Sequence, residues 1–269
     1  MKKLATALVS AAAIMTMSTT AFAAENPAEV FDRVMEKNNT IQSAEIQSGV
    51  HSVILAKDVI PDGQMKVDMA MHAEMDMQDT TDLKYLAQVA SSILGQDSYS
   101  QVFYTDGYYY VDANGVKLKY PMPLEQIISS VQTGVNTSNM ESSYMKGISL
   151  NEVNGKRVLA YEANPKKLNK NVKEALGTVM NTLGTDVNLD MNIQEMKGAY
   201  VLDDNDYIIY MTNYIVYNME VLDQPMTCIT LMETEVQNPG EPVVVTLPST
   251  DGYVDLIGLY DGVIESEVE

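Results

Sequence analysis

The chain has no tryptophan, one cysteine, three phenylalanines and two histidines. A single cysteine, Cys228, cannot close an intrachain disulfide, so stability must come from an ordinary apolar core. Neither His51 nor His72 lies near a nucleophile motif, and there is no G-x-S-x-G segment, which leaves Ser-His-Asp and Cys-His catalysis with little support. Basic residues are also scarce, 17 Lys and Arg against 37 Asp and Glu. Nucleic-acid binding needs a basic stripe to neutralise phosphates, so that class is set aside. A surface this acidic repels anionic membranes over about a Debye length. No later apolar run reaches the roughly 18 residues of a membrane-spanning helix, and the chain is not expected to be an integral membrane protein.

What is present begins with a secretory pattern. Lys2 and Lys3 precede an apolar run from Leu4 to Met15, and Ala21-Phe22-Ala23 supplies a small-x-small cleavage site. Residues 1–23 therefore read as a cleaved signal peptide, and the mature chain as secreted and soluble. Cleavage leaves 15 basic residues against 37 acidic ones, a net charge of −22. Residues 24–248 are expected to form a single α+β domain, followed by an acidic tail over 249–269. Leu247-Pro248-Ser249-Thr250 approaches a cell-wall sorting signal, but Asp251 stands where that signal needs glycine.

The most distinctive segment runs from Gln64 to Gln78. Met65, Val67, Met69, Met71, Ala73, Met75 and Met77 alternate with polar residues, the period of a half-buried strand. Strand faces usually favour β-branched and aromatic residues, whereas thioethers are flexible and adapt to irregular partners. The segment reads as a soft apolar wall. Before it, Asn26-Pro27 opens an amphipathic helix carrying Val30, Phe31, Val34 and Met35, and a strand spans Ile41 to Ala56. Pro61-Asp62-Gly63 then turns the chain into the methionine strand.

Further on, Thr81 is read as the cap of a helix with the stripe Leu83, Leu86, Ala90, Ile93 and Leu94, closing at Gly95. A meander follows, from Tyr99 to Tyr120, with turns at Asp106-Gly107 and Asn114-Gly115. Pro123 opens a helix with Leu124, Ile127, Ile128 and Val131. Asn154-Gly155 joins two strands, and Asn164-Pro165 starts a helix with Leu168, Val172, Leu176, Val179 and Leu183 inward. At its start Lys166, Lys167, Lys170 and Lys173 cluster, either as a solvated helix face or as a dock for anionic head groups or a partner. Val187, Leu189, Met191 and Ile193 alternate with polar residues in the next strand. An acidic turn at Asp203 to Asp206 and strands over Tyr207 to Val221, Met226 to Val236 and Val243 to Leu247 complete the pattern. Hairpin connections throughout imply an antiparallel sheet rather than βαβ units. Strands this long must twist, giving a strongly curved antiparallel sheet with helices packed in its concave face.

This element order resembles the LolA-like lipoprotein-carrier superfamily, which includes the mycobacterial lipoprotein carriers. Met65 to Met77, Tyr104-Thr105-Asp106-Gly107-Tyr108-Tyr109-Tyr110 and Pro121-Met122-Pro123-Leu124-Glu125 are similar to an uncharacterised secreted or lipoprotein family of Gram-positive bacteria placed in that superfamily. The resemblance implies an incomplete barrel folded round helices and enclosing an apolar cavity. It carries no catalytic or binding motif across, and this chain lacks the lipidated cysteine with which many of those relatives begin.

Chemistry beyond that is sparse. Paired carboxylates are inevitable among 37 acidic residues and point to no glycosidase. Asp203-Asp204-Asn205-Asp206 lacks the glycine and closing glutamate of a calcium loop. Soft thioethers select Cu(I), but His72 points away from the methionine face, and neighbours on that face are nearly 7 Å apart. No cofactor or metal is expected, nor an enzyme. The wall is thus either plain core, packed on Leu83, Leu86, Ala90 and Ile93, or the lining of a cavity for a lipid or other apolar small molecule. In the second case Met65, Val67, Met69, Met71, Met75, Met77, Leu83, Leu86, Val187, Leu189, Met191, Met211 and Ile215 form the binding wall, with Tyr108, Tyr110, Tyr210 and Tyr214 at its rim. The expected function is binding or carrying a hydrophobic ligand outside the cytoplasm. The alternative is an envelope-associated module that contacts another protein and holds no ligand.

Overall fold

The computed structural model describes residues 25–56, 60, 62–79, 83–124, 126, 140–170, 191–221 and 224–255. The chain is mostly β. One helix, α1 (Pro27–Asn38), precedes β1 (Ser43–Leu55), β2 (Gln64–Asp76), β3 (Lys84–Ile93), β4 (Gln96–Thr105), β5 (Tyr108–Ala113) and β6 (Val116–Pro121). A 3-10 turn at Ser142–Tyr144 leads into β7 (Met145–Val153), β8 (Lys156–Ala163), β9 (Met191–Leu202), β10 (Ile208–Val221), β11 (Gln224–Gln237) and β12 (Val254–Asp255). Hydrogen bonding orders them β12-β6-β5-β4-β3-β2-β1-β11-β10-β9-β8-β7, with β7 and β12 at the two ends. The ladders from β3 through β6 and from β7 through β11 are antiparallel, and the short pair of β12 with β6 is parallel.

The expected α+β class is corrected to a β-rich sheet, and the largest single difference lies at residues 83–95. The stripe Leu83, Leu86, Ala90 and Ile93 fits a helical period, yet the segment is β3, paired with β4 from Tyr85↔Tyr104 to Ile93↔Gln96. Leu94 and Gly95, read as a helix end, are the two-residue loop of a hairpin, with φ of 53° and 76°. Positive φ serves a helix C-terminus and a tight hairpin turn equally well. The β-favouring Tyr85, Val89 and Ile93, with Ser91-Ser92 between them, decide for the strand. Val243 to Leu247 is also not a strand; it runs outside any ladder, with Val243, Val245 and Leu247 against Leu86 and Phe103. Of the helix expected from Pro123, only Leu124 and Gln126 are described, and of the helix after Asn164, residues 165–170. The signal segment, Ile127, Ile128, Val131, Val187, Leu189 and the tail beyond 255 lie outside the described residues.

Two compact units divide the chain. The first comprises Met1–Asn38, Gly49–Asp68 and Ser138–Glu235; the second comprises Asn39–Ser48, Met69–Thr137 and Val236–Glu269. In the first unit α1 forms where the sequence expects it. Asn26 caps it by accepting from the Ala28 amide at 3.1 Å, and Pro27 occupies the first turn, where its missing N–H costs nothing. Its buried face of Val30, Phe31, Val34 and Met35 packs with Leu150, Leu159, Tyr161, Tyr200 and Leu202. At the other end, Asn38 accepts from the Ile208 amide at 2.9 Å and donates to the Asp206 carbonyl at 3.1 Å. The acidic turn is thereby tied to the helix. Asp206 also joins Arg33 at 2.9 Å and Arg157 at 2.5 Å, and Glu25 meets both arginines.

The second unit has two clusters. Ala44, Ile46, Ala73, Met75, Met77, Leu83, Ala87, Tyr104 and Val236 form one, and Leu86, Phe103, Tyr110 and Val245 the other. Phe103 stacks on Tyr110 with ring centroids 4.6 Å apart, and Tyr253 meets both rings edge-on.

A candidate apolar binding face in the first unit

The registers of β8 to β11 fix which side chains share a face in the first unit. Across β9, β10 and β11, Met191 aligns with Met219 and Met226, Ile193 with Tyr217 and Cys228, and Met196 with Ile215 and Thr230. Gly198 aligns with Asn213 and Met232, and Tyr200 with Met211 and Thr234. Residues directly opposite in a ladder point to the same side. One face therefore carries Met191, Met196, Met211, Met219, Met226 and Met232, all half-buried, with Ile215 among them. Ser52 bonds Thr230 through their hydroxyls at 2.9 Å, which puts Ser52 on this face too, and by alternation Val50 and Ile54. His51 pairs with Asp68 at 2.7 Å on the opposite side, so Met65 and Val67 also fall on the methionine face.

One end of the face is closed by α1, where Phe31 meets Tyr161 edge-on at 5.8 Å and Tyr161 stacks on Tyr200 at 5.3 Å. A gap in the sheet organises this end. Gly198 has no side chain, and the Tyr161 hydroxyl crosses above it to donate to Asn213 Oδ1 at 2.5 Å. A Cβ on Gly198 would lie 2.4 Å from Asn213 Oδ1, 2.5 Å from the Thr212 carbonyl and 2.8 Å from the Tyr161 hydroxyl. Asn213 Nδ2 in turn reaches Met211 Sδ at 3.8 Å. Burial pushes the Tyr161 phenol well above its ordinary range and Tyr200 up to about 12, so both stay neutral.

Towards Met191, Met219 and Met226 the face is half-buried, and the one cysteine sits in it. Cys228 is buried, with Sγ 3.8 Å from Met219 Sδ. Burial pushes its thiol up, and a hydrogen bond with Tyr217 offsets part of that. The polar groups here bond to one another, Ser52 with Thr230 and Tyr161 with Asn213. What the face offers a ligand is polarizable dispersion contact rather than proton chemistry. Among the described residues no three His, Cys, Asp or Glu side chains gather as a metal site.

The expected wall is divided by the structure. Met65, Val67, Met191, Met211 and Ile215 belong to the first unit; Met69, Met71, Met75, Met77, Leu83 and Leu86 belong to the second. There Met75 and Met77 are fully buried, Met71 packs at the edge of the same cluster, and Met69 is 38% exposed. Leu83 and Leu86, expected on one helical stripe, join different clusters. Tyr210 and Tyr214 alternate with Met211 and Ile215 and so lie on the opposite face. There Tyr210 donates to Glu233 at 2.7 Å, and burial followed by that bond pushes its phenol up. Tyr110 is core, and His72 lies 3.2 Å from Glu45, on the side away from the methionines. Sequence reasoning passed over Met196, Met219, Met226, Cys228 and Met232. Their period-two spacing was a usable signal, but only the β10–β11 register sets them beside one another.

A family model covers residues 26–248, and the chain belongs to that family, a family of unknown function designated DUF6612. No protein with a curated description matches the chain. Among solved structures, LprF from Mycobacterium bovis is 9% identical, covers 83% of this chain and 97% of its own, and gives a TM-score of 0.34. A β-barrel-like protein of the DUF1849 domain family from Brucella abortus is 11% identical, with coverage of 74% and 100% and a TM-score of 0.25. YwiB from Bacillus subtilis is 10% identical, with coverage of 74% and 96% and a TM-score of 0.21. At these scores the likenesses carry no weight for function.

Proposed function

We propose that this protein binds a hydrophobic, lipid-like ligand outside the cytoplasm, against the methionine-lined face of the first unit. The observation that carries the reading is the alignment of six half-buried methionines on one side of β9, β10 and β11. Sheet faces usually favour stiff β-branched and aromatic residues, and here, unlike the fully buried Met75 and Met77, the six methionines stay half-buried. Unbranched thioethers, with three rotatable bonds each, repack around partners of different shape, which suits an acyl chain better than a fixed core contact. The mature protein acts as a binder or carrier rather than an enzyme, exported by its signal segment. Among the described residues no helix is long and apolar enough to cross a membrane. A LolA-like arrangement, the fold the sequence resembles, fits the same role.

Expression with the native signal segment, followed by native mass spectrometry and solvent extraction, tests this. The expected result is a co-purifying apolar molecule of stoichiometric amount. Repeated recovery of bare protein that also takes up no apolar fluorophore would reject it, in favour of a module that contacts another protein.

A further inference from the structure

We propose that the first unit also binds one Cu(I) ion at the end of the methionine face away from α1, through the Cys228 thiolate and the thioethers of Met219, Met226 and Met191. This goes beyond the apolar-ligand reading and does not depend on it. The strand register builds the site. Met191, Met219 and Met226 stand directly opposite one another on β9, β10 and β11, and Cys228 lies one step along the same face, opposite Tyr217. Cys228 Sγ is 3.8 Å from Met219 Sδ. Two sulfurs that share one ion at about 2.3 Å each lie about 3.8 Å apart at a tetrahedral angle, so this pair has the spacing of two ligands. Met191 and Met226 flank Met219 on either side, and directly opposite residues of a ladder hold their Cβ atoms about 4.5–5.5 Å apart. Rotation about its side-chain bonds lets each thioether turn to a common point. Methionines along one strand, such as Met69 and Met71, lack this convergence, because same-face neighbours there are roughly 7 Å apart.

The donor set selects the ion. Thiolate and thioether sulfur are soft ligands that favour Cu(I), whereas Zn(II) takes thiolate, imidazole and carboxylate, and Mg(II) takes oxygen. Charge points the same way: one thiolate neutralises a monovalent ion, and a divalent one would leave a net positive charge against an apolar face. Binding forms the bond from copper to Cys228 Sγ as the thiol proton passes to water; the thioethers donate lone pairs, and no electron is transferred. Tyr217 hydrogen-bonds the Cys228 sulfur, a contact that orients a bound thiolate. Cys228 is buried, which closes the intermolecular disulfide open to an unpaired cysteine in an exported chain. Met219 and Met226 are half-buried beside exposed Asn218, Glu220 and Pro225, so the path to the thiol runs through the thioethers.

The test adds the Cu(I) complex of bicinchoninate to reduced mature protein without oxygen and follows loss of the complex's colour, with native mass spectrometry counting bound copper. Native protein should withdraw one equivalent. Cys228→Ser should lose that uptake, and Met219→Leu and Met226→Leu, which conserve volume and so keep the fold, should each weaken it about tenfold or more. Met69→Leu, at an exposed methionine of the second unit, should bind as the native chain does. Zn(II) offered in place of Cu(I) should not be retained. No uptake against the chelator, uptake that survives Cys228→Ser, uptake undiminished in both Met219→Leu and Met226→Leu, or equal retention of Zn(II) would overturn the site. Each of these results leaves the apolar-ligand reading to its own test.

Discussion

Replacing Gly198 by alanine should be among the most damaging single-methyl changes in the first unit. The added Cβ would sit 2.5 Å from the Thr212 carbonyl, which is backbone and can yield only if β10 moves. Overpacking of this kind costs about 1–3 kcal/mol. The same methyl would lie 2.4 Å from Asn213 Oδ1 and 2.8 Å from the Tyr161 hydroxyl, so the bond between those two cannot persist. Leaving a buried acceptor unsatisfied adds about 1–3 kcal/mol. Stiffening the unfolded chain returns only about 0.4–1 kcal/mol, so the net expectation is a loss of about 1–5 kcal/mol. With no tryptophan in the chain, urea unfolding followed by far-ultraviolet circular dichroism is the suitable assay. Tyr161→Phe alone should cost about 1–3 kcal/mol, and in that background Gly198→Ala should cost less than in the native chain, because one of the clashing partners is gone. A loss below about 1 kcal/mol for Gly198→Ala, or strict additivity of the two changes, would refute the close crossing of Tyr161 over Gly198.

Acid and turn chemistry give two further expectations. Burial alone would raise the Asp206 carboxyl, but hydrogen bonds and charge from Arg33 and Arg157 outweigh it and hold it below the ordinary carboxylate range. A depressed carboxyl stabilises the fold above its unfolded pKa and loses that contribution as pH falls through the folded value. Native protein and Asp206→Asn should therefore differ in melting temperature at pH 7, with the gap beginning to narrow only below about pH 4 and closing as pH falls through the lower folded value; a gap that does not narrow in acid would contradict the ion network. At the β3–β4 loop, Leu94 is 70% exposed with φ of 53°, a poor conformation for leucine. Leu94→Asn should stabilise by about 0.5–1 kcal/mol in the same urea assay, and a loss of stability would show that Leu94 has a contact its exposure conceals.

Much of the chain is legible from its sequence because turn chemistry is local. Asp106-Gly107, Asn114-Gly115 and Asn154-Gly155 all have the positive φ their residues favour, and the strands they join follow. The helix at Pro27 is equally local, with its cap, proline and apolar stripe in agreement. Residues 83–95 misled because a Leu/Ala stripe satisfies the helical period, and glycine ends a helix or a hairpin with the same backbone angle. The apolar face was legible only in part. Met211, Ile215 and Met191 stand out by alternation, but Met226 opposite Met219 is a matter of register between strands, which no local pattern states. Likewise the methionine strand reads as one continuous wall, yet its burial rises from exposed Met69 to buried Met75 and Met77.

The central claim, that the methionine face of the first unit takes an apolar ligand, is tested most directly by titrating an uncharged apolar fluorophore into native protein, Met226→Glu and Lys66→Ala. Met226 lies on the face and Lys66 on the opposite side of β2. Saturable uptake by native protein and Lys66→Ala, with affinity reduced about tenfold or more by the carboxylate in Met226→Glu, is the predicted result. No saturable uptake, or uptake that Met226→Glu leaves unchanged, would contradict it.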